Sequence, residues 1–173
     1  MNKNSGGFIL SNLKTRDITQ LALIAALYVA ITIAPGISAF SYGQIQFRVS
    51  EILMLLPFFN HKYSWSLIIG CLISNIFSAQ LGMYDIVLGT LATAVACLII
   101  TRIPASNKTL WLVPIVCAVV NGIIVGAELH FVLKLPFWLN LVTVGLGELV
   151  VVAIGAVIFY FLMQNQNFSK LIR

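Results

Sequence analysis

Six apolar runs divide this chain, each ended by a polar stretch or a helix-breaking residue. The first covers residues 18–35, ITQLALIAALYVAITIAP, and is stopped by the Pro35-Gly36 pair, a turn signal after a helix. The second, about residues 47–59, is short for a membrane span and is expected to tilt or to sit where the protein is locally thin. The third runs over about 63–81 with Gly82 ending it, and the fourth over about 85–103, where Pro104 breaks the helix ladder. The fifth covers about 109–131. The last, about 136–162, is long enough to tilt or kink, and Gly145, Gly147 and Gly155 lie along it. These runs predict an all-α integral membrane protein: six transmembrane helices in a single domain over residues 1–173, with polar tails at 1–17 and 164–173.

Composition narrows the class. The chain is 60% hydrophobic and 9% charged, with a mean hydropathy of +1.02, whereas a soluble domain carries roughly 25% charged residues. The net charge of +5 does not indicate nucleic acid, since no basic patch or helix is present to trace a phosphate backbone. It reflects orientation. With the N-terminus in the cytoplasm, Lys3, Lys14, Arg16, Lys62, Arg102, Lys108, Lys170 and Arg173 fall inside and only Arg48 and Lys134 outside, eight against two. An even number of spans returns the C-terminus to the cytoplasm, so a multi-pass plasma-membrane protein with both termini inside is expected. Asp17, just ahead of the first run, argues against a cleavable signal peptide, so that span is expected to stay.

Several chemistries have no support in the pattern. Cys71, Cys97 and Cys117 all lie within apolar runs, without a disulfide framework or metal-ligand spacing, and read as small helix-packing residues. No Gly-Lys dipeptide occurs, so the chain lacks a phosphate-binding loop of the G-x-x-x-x-G-K type and is not expected to hydrolyse ATP by itself. Neither H-E-x-x-H nor G-x-S-x-G is present, and Glu128 and His130, two apart, point to different helix faces. No enzyme, metal or cofactor on this chain is expected.

The acids carry the functional signal. Of five acidic residues, Asp17 marks a helix start, whereas Glu51, Asp85, Glu128 and Glu148 lie in or at the ends of spans. An acid at mid-span costs about 2.5–3.5 kcal/mol by insertion scales, so four of them are not there for stability. Glu51 is about one turn into the second span from the outer face, Asp85 opens the fourth, and Glu128 is near the outer end of the fifth. Glu148 is deeper, roughly 16 Å along the sixth at the usual rise. Asn75 and Ser78 belong to the outer half of the third span, and Asn121 shares the Glu128 face two turns deeper. The polar groups gather in the outer half and leave the inner half almost bare, which predicts a pocket open outward and closed inward. A proton wire or channel needs polar steps across the full thickness.

Such a pocket favours a small ligand rich in hydrogen-bond donors, or a cation. Candidate ligand residues are Glu51, Asn75, Asp85, Asn121, Glu128 and Glu148. Each acid has a structural alternative: Arg48 and Glu51, three apart, pair on one helix face; Asp85 caps its helix; Glu128 and His130 sit at a loop edge; Glu148 meets an internal partner such as Arg48. The preferred assignment makes Glu51 a ligand acceptor and Arg48 its structural counter-charge, with residues 36–46 as a gate. Phe40, Tyr42, Phe47, Tyr84, Phe131, Phe137 and Trp138 flank the same end, either as an interface belt or as a stacking shelf. In the first span Ala22, Ala26, Ala30 and Ala34 form a small-residue stripe, which serves either packing within the chain or docking of a partner helix.

Five blocks, IQFRVSEILMLLPFF (45–59), IGCLISNIF (69–77), YDIVLGTLAT (84–93), VNGIIVGAELH (120–130) and LPFWLNLVTVGLGELV (135–150), together resemble the QueT-type queuosine-precursor transporter family. Those proteins are substrate-binding (S) components of energy-coupling factor (ECF) transporters. The resemblance implies a six-helix S component that captures its substrate from outside and docks through the alanine stripe of its first helix on a transmembrane coupling protein driven by two cytoplasmic ATPases. The implied cargo is a 7-deazaguanine, either the aminomethyl or cyano form or queuine, with ATP consumed only by the partners. An S component for another vitamin or nucleobase-like micronutrient, or a stand-alone secondary carrier, is the alternative.

Overall fold

The first helix, α1 (Thr15–Ile33), begins three residues ahead of the apolar run. The backbone N–H of Lys14 donates to Asp17 Oδ2 at 3.2 Å, so Asp17 satisfies a free donor at the helix start. The same carboxylate pairs with Lys62 at 2.7 Å and ties α1 to the turn before the third helix. The computed structural model describes residues 14–34, 48–78 and 82–172, without the side chains of Ser78 and Leu171. The Pro35-Gly36 stop, the gate at 36–46, Phe40, Tyr42, Phe47, Leu81, Lys3 and Arg173 lie outside the described residues, as does the Ser78 side chain.

The second apolar run is not a regular α-helix. α2 (Val49–Phe59) opens as a 3-10 helix over Val49–Leu55 and ends in one α-turn, Leu56–Phe59, with Pro57 in its first positions. At about 2.0 Å per 3-10 residue and 1.5 Å per α residue, these eleven residues reach roughly 20 Å. The tighter winding lets a short segment cover more depth. Protein covers much of the segment, with Ser50, Glu51, Met54 and Leu55 buried. Met54 and Leu55 are fully buried, and a Cβ on Gly155 would meet Leu55 Cδ1 at 2.9 Å and Ile52 Cγ2 at 3.0 Å.

α3 (Tyr63–Ser78) follows, then Gly82 with φ +66°, a left-handed turn that glycine adopts without penalty. α4 (Asp85–Ile100) starts with a π-helical turn over Asp85–Gly89 and stops short of the expected end at 103. α5 (Thr109–Leu133) and α6 (Phe137–Leu162) form an antiparallel hairpin across Lys134, which sits at φ 59°. Residues 164–173, expected as a tail, contain α7 (Gln166–Ile172). Asn165 Oδ1 accepts from the N–H groups of Asn167 and Phe168 at its start. Phe168 then rests edge-on against Phe159, and the Ile172 carbonyl accepts from Asn60 at 3.4 Å.

Among the described residues every element is helical. α1, α5 and α6 are long and apolar enough to cross a membrane, and α2, α3 and α4 are shorter apolar helices. Their outward faces carry large apolar side chains, such as Leu23, Phe77 and Phe161, each more than 60% exposed, a surface suited to lipid rather than water. Inside, Tyr28, Met54, Leu67, Cys71, Cys97, Cys117 and Val152 form the main core, and the three cysteines are free thiols within it.

Along the α5–α6 seam glycines bring two backbones close together. A Cβ on Gly122 would stand 3.0 Å from the Leu141 carbonyl oxygen, one on Gly126 3.1 Å from the Leu141 nitrogen, and one on Gly145 3.2 Å from the Ala118 oxygen. These obstacles are backbone and cannot rotate aside. Gly126→Val is therefore expected to destabilise the protein by about 1–3 kcal/mol, read as a lowered Tm in detergent, while the same change at open Gly82 acts only through its positive φ.

Candidate functional site

The irregular starts of α2 and α4 place charged groups inside the bundle. Arg48 is the N-cap of α2 in extended conformation, so its side chain is outside the helical register that sequence spacing assumes. It lies 3.6 Å from Asp85 Oδ1, with both side chains 5% exposed. Glu51, one turn on, accepts from Tyr28 Oη of α1 through its Oε1. Arg48 remains within electrostatic reach of Glu51 as well.

Asn75 braces the π turn. Its Nδ2 donates to the Asp85 carbonyl at 3.1 Å and approaches Cys71 Sγ at 3.5 Å. Gly89 makes the space, since a Cβ there would stand 2.7 Å from that nitrogen. Thr93 Oγ1 closes the contact on Cys71 Sγ at 3.2 Å.

The remaining acids come from the α5–α6 hairpin. The glycine seam sets Gly126 against Asn140 and Leu141, which brings Asn140 level with the end of α5 that carries Glu128. Glu148 lies seven residues, two helical turns, before Gly155, and Gly155 touches Ile52 and Leu55 of α2. This register sets Glu148 level with the start of α2, within electrostatic reach of Glu51 and Arg48. Glu128 is likewise within reach of Asp85 and Arg48. The structure thus pairs Arg48 with Asp85 and sets Glu51, Glu128 and Glu148 within its electrostatic range.

All six candidate ligand residues are buried, none more than 4% exposed. The expectation of an outward-open pocket is not met at these side chains. Glu128, fully buried, is also not the loop edge its neighbour suggested. His130 turns away from it, with Nδ1 2.7 Å from the Leu135 carbonyl and its ring beside Phe131 and Phe137. Phe131 and Trp138 are at least 70% exposed, a placement that suits an interface belt better than a shelf inside the site.

Buried polar atoms normally find partners. Here Glu51 Oε2, both oxygens of Glu128, Glu148 Oε2, and the amide nitrogens of Asn121 and Asn140 have none among the described residues. Four carboxylate oxygens and two amide donors are therefore left for something outside the described residues to satisfy. Among the described residues no group of three or more His, Cys, Asp or Glu side chains is placed to hold a metal ion.

Sequence reasoning missed four contributors: Tyr28 and Thr32 on α1, Ser50 on α2 and Asn140 on α6. The first two were visible as polar side chains one turn apart, on the side of α1 facing away from the alanine stripe. The half expected to face inward is also less bare than expected, because Ser64 and Ser66 are buried near the start of α3. At that end a cavity of about 220 Å³ is lined by Phe58, Phe59, Ser106, Leu110, Tyr160 and Met163, remote from the acids.

Ala22, Ala26 and Ala30 are exposed and Ala34 is half-buried, so the stripe is left largely uncovered by this chain. The face that packs inward is that of Ala25 and Tyr28 against Gly70.

An all-helical membrane protein with apolar flanks and a buried acidic cluster is built to handle a polar solute. Its family is specific: the model of the QueT transporter family matches residues 18–164, and this chain belongs to that family. It is a transporter and not an enzyme. A relative, the Queuosine precursor transporter QueT of Lactococcus lactis subsp. cremoris (strain MG1363), is 39% identical over 168 residues, covering 91% of this chain and 98% of that protein. No solved structure matches the chain.

Proposed function

We propose that this chain is the S component of an ECF-type importer in the plasma membrane, capturing a queuosine precursor at the outer face for uptake driven by partner ATPases. The observation that carries the substrate reading is the set of unpartnered carboxylate oxygens, added to the relative's name. A 7-deazaguanine edge presents N–H and NH₂ donors that carboxylates accept in pairs, and its carbonyl accepts from an amide such as Asn121 or Asn140. Glu51, Asp85, Glu128 and Glu148 are the proposed acidic contacts, with Asn75 and Asn121 as amides and Arg48 as counter-charge. With four acids to one guanidinium, the cluster favours a cationic ligand, the aminomethyl or queuine form.

The uncovered alanine stripe supports docking of α1 on a transmembrane coupling protein, since small residues let helices approach closely. The lack of a phosphate-binding loop is consistent with ATP being used by two partner ATPases and no cofactor on this chain. The charge distribution supports both termini in the cytoplasm, with α2, α3 and α4 completing six spans.

Calorimetric titration of the purified protein in detergent tests this reading. 7-Aminomethyl-7-deazaguanine is expected to bind, and the neutral cyano form to bind about 30-fold more weakly, the ~2 kcal/mol that a hydrogen bond to a charged group contributes. Binding of riboflavin or thiamine in their place would replace the substrate. Uptake into vesicles holding this chain alone would instead make it a stand-alone carrier.

A further inference from the structure

Tyr28 lies mid-way along α1, 1% exposed, on the side away from the alanine stripe. Gly70 of α3 gives it room, since a Cβ there would come within 3.0 Å of Tyr28 Cβ and 3.2 Å of its ring. The ring hydroxyl donates to Glu51 Oε1 at 2.5 Å. One turn later the Thr32 hydroxyl bonds back to the Tyr28 carbonyl at 2.8 Å and lies 2.7 Å from Ser50 Oγ. Two residues one turn apart on α1 thus hold two consecutive residues of α2.

A carboxylate offers two oxygens, and Tyr28 takes one. The other, Glu51 Oε2, is buried without a partner among the described residues. A fixed hydroxyl on Oε1 sets the plane of the carboxylate and decides which oxygen faces away from α1. We propose that Tyr28 is a positioning residue for ligand binding: it orients Glu51 so that Oε2 is presented to the ligand. This rests on the reading of the acidic cluster as the ligand site. It also makes α1 a working part of that site rather than only its wall.

The sign of one double variant separates positioning from a purely structural role. In Glu51→Gln the Tyr28 hydroxyl holds the amide oxygen and turns the NH₂ group toward a ligand that is itself a donor. Removing the hydroxyl frees that amide to rotate. The experiment is calorimetric titration of the full chain in detergent with 7-aminomethyl-7-deazaguanine, for wild type, Tyr28→Phe, Glu51→Gln and the double variant. Tyr28→Phe is expected to weaken binding about tenfold. Added to Glu51→Gln, it is expected to cause no further loss and to recover part of the affinity. Losses that multiply in the double variant, or wild-type affinity in Tyr28→Phe, overturn the assignment and leave the ligand site standing. A wild-type chain that does not bind the deazaguanine overturns both. If Tyr28→Phe does not fold, 3,5-difluorotyrosine at position 28 keeps the hydroxyl and strengthens it as a donor. Affinity is then expected to shift at least twofold with Glu51 present and to stay constant in Glu51→Gln; no shift with Glu51 present overturns the assignment.

Discussion

Glu128→Gln is expected to weaken binding of 7-aminomethyl-7-deazaguanine by about 30- to 150-fold while raising the Tm of the ligand-free protein. Both effects have one origin. Glu128 is fully buried, and neither of its oxygens has a hydrogen-bond partner among the described residues. A carboxylate in that position is costly to the empty protein and available to a donor or cation that arrives. Replacing it with an amide removes a charged acceptor, a loss of about 2–3 kcal/mol in the complex. It also removes a buried carboxyl whose oxygens lack a hydrogen-bond partner among the described residues, and each kcal/mol gained is about 2–4 °C in Tm for a chain of this size. Calorimetry and a melting curve on the same preparation measure both. A fall in Tm together with the fall in affinity would make Glu128 a structural residue.

The second large effect runs the other way. Arg48→Met is expected to cost about 3–5 kcal/mol of stability, because removing one partner of a buried ion pair leaves the other uncompensated. Here Asp85 loses its partner at 3.6 Å, and Glu51, Glu128 and Glu148 lose a cation within electrostatic reach. A low yield of folded protein and a Tm lowered by ~6–20 °C are the expected readings. Adding Asp85→Asn to Arg48→Met is expected to restore a substantial part of the loss. If the double variant is no more stable than Arg48→Met, the Arg48–Asp85 pair is not what holds the two helix starts together.

Helical character, apolar flanks and the identity of the acids were legible in the sequence because they depend on local composition. Glu128 and Glu148 stand out in any apolar run, and Gly82 marked its turn correctly. The pairings were not legible. α-Helical spacing predicts an Arg48–Glu51 pair, yet Arg48 is an extended N-cap and lies 3.6 Å from Asp85, 37 residues later in the sequence. That contact depends on a π turn at the start of α4, and the turn depends on Asn75 fitting where Gly89 has no side chain. Tyr28 was passed over because an aromatic in a membrane helix reads as packing until its hydroxyl is seen to have a target. Gly145 and Gly155 suggest a kink within the sixth run, whereas Gly145 brings α6 against α5 and Gly155 brings it against α2.

The charged start of α2 has a consequence for how the protein is made. Arg48 and Glu51 are costly to leave against lipid, and part of the cover over α2 is α6, which meets Ile52 and Leu55 at Gly155. α6 leaves the ribosome after α1 to α5. Until it arrives, the segment bearing Arg48 and Glu51 lacks that cover. The final packing of α2 therefore belongs to a late step of biogenesis, and a chain halted before residue 137 leaves Ile52 and Leu55 without that neighbour.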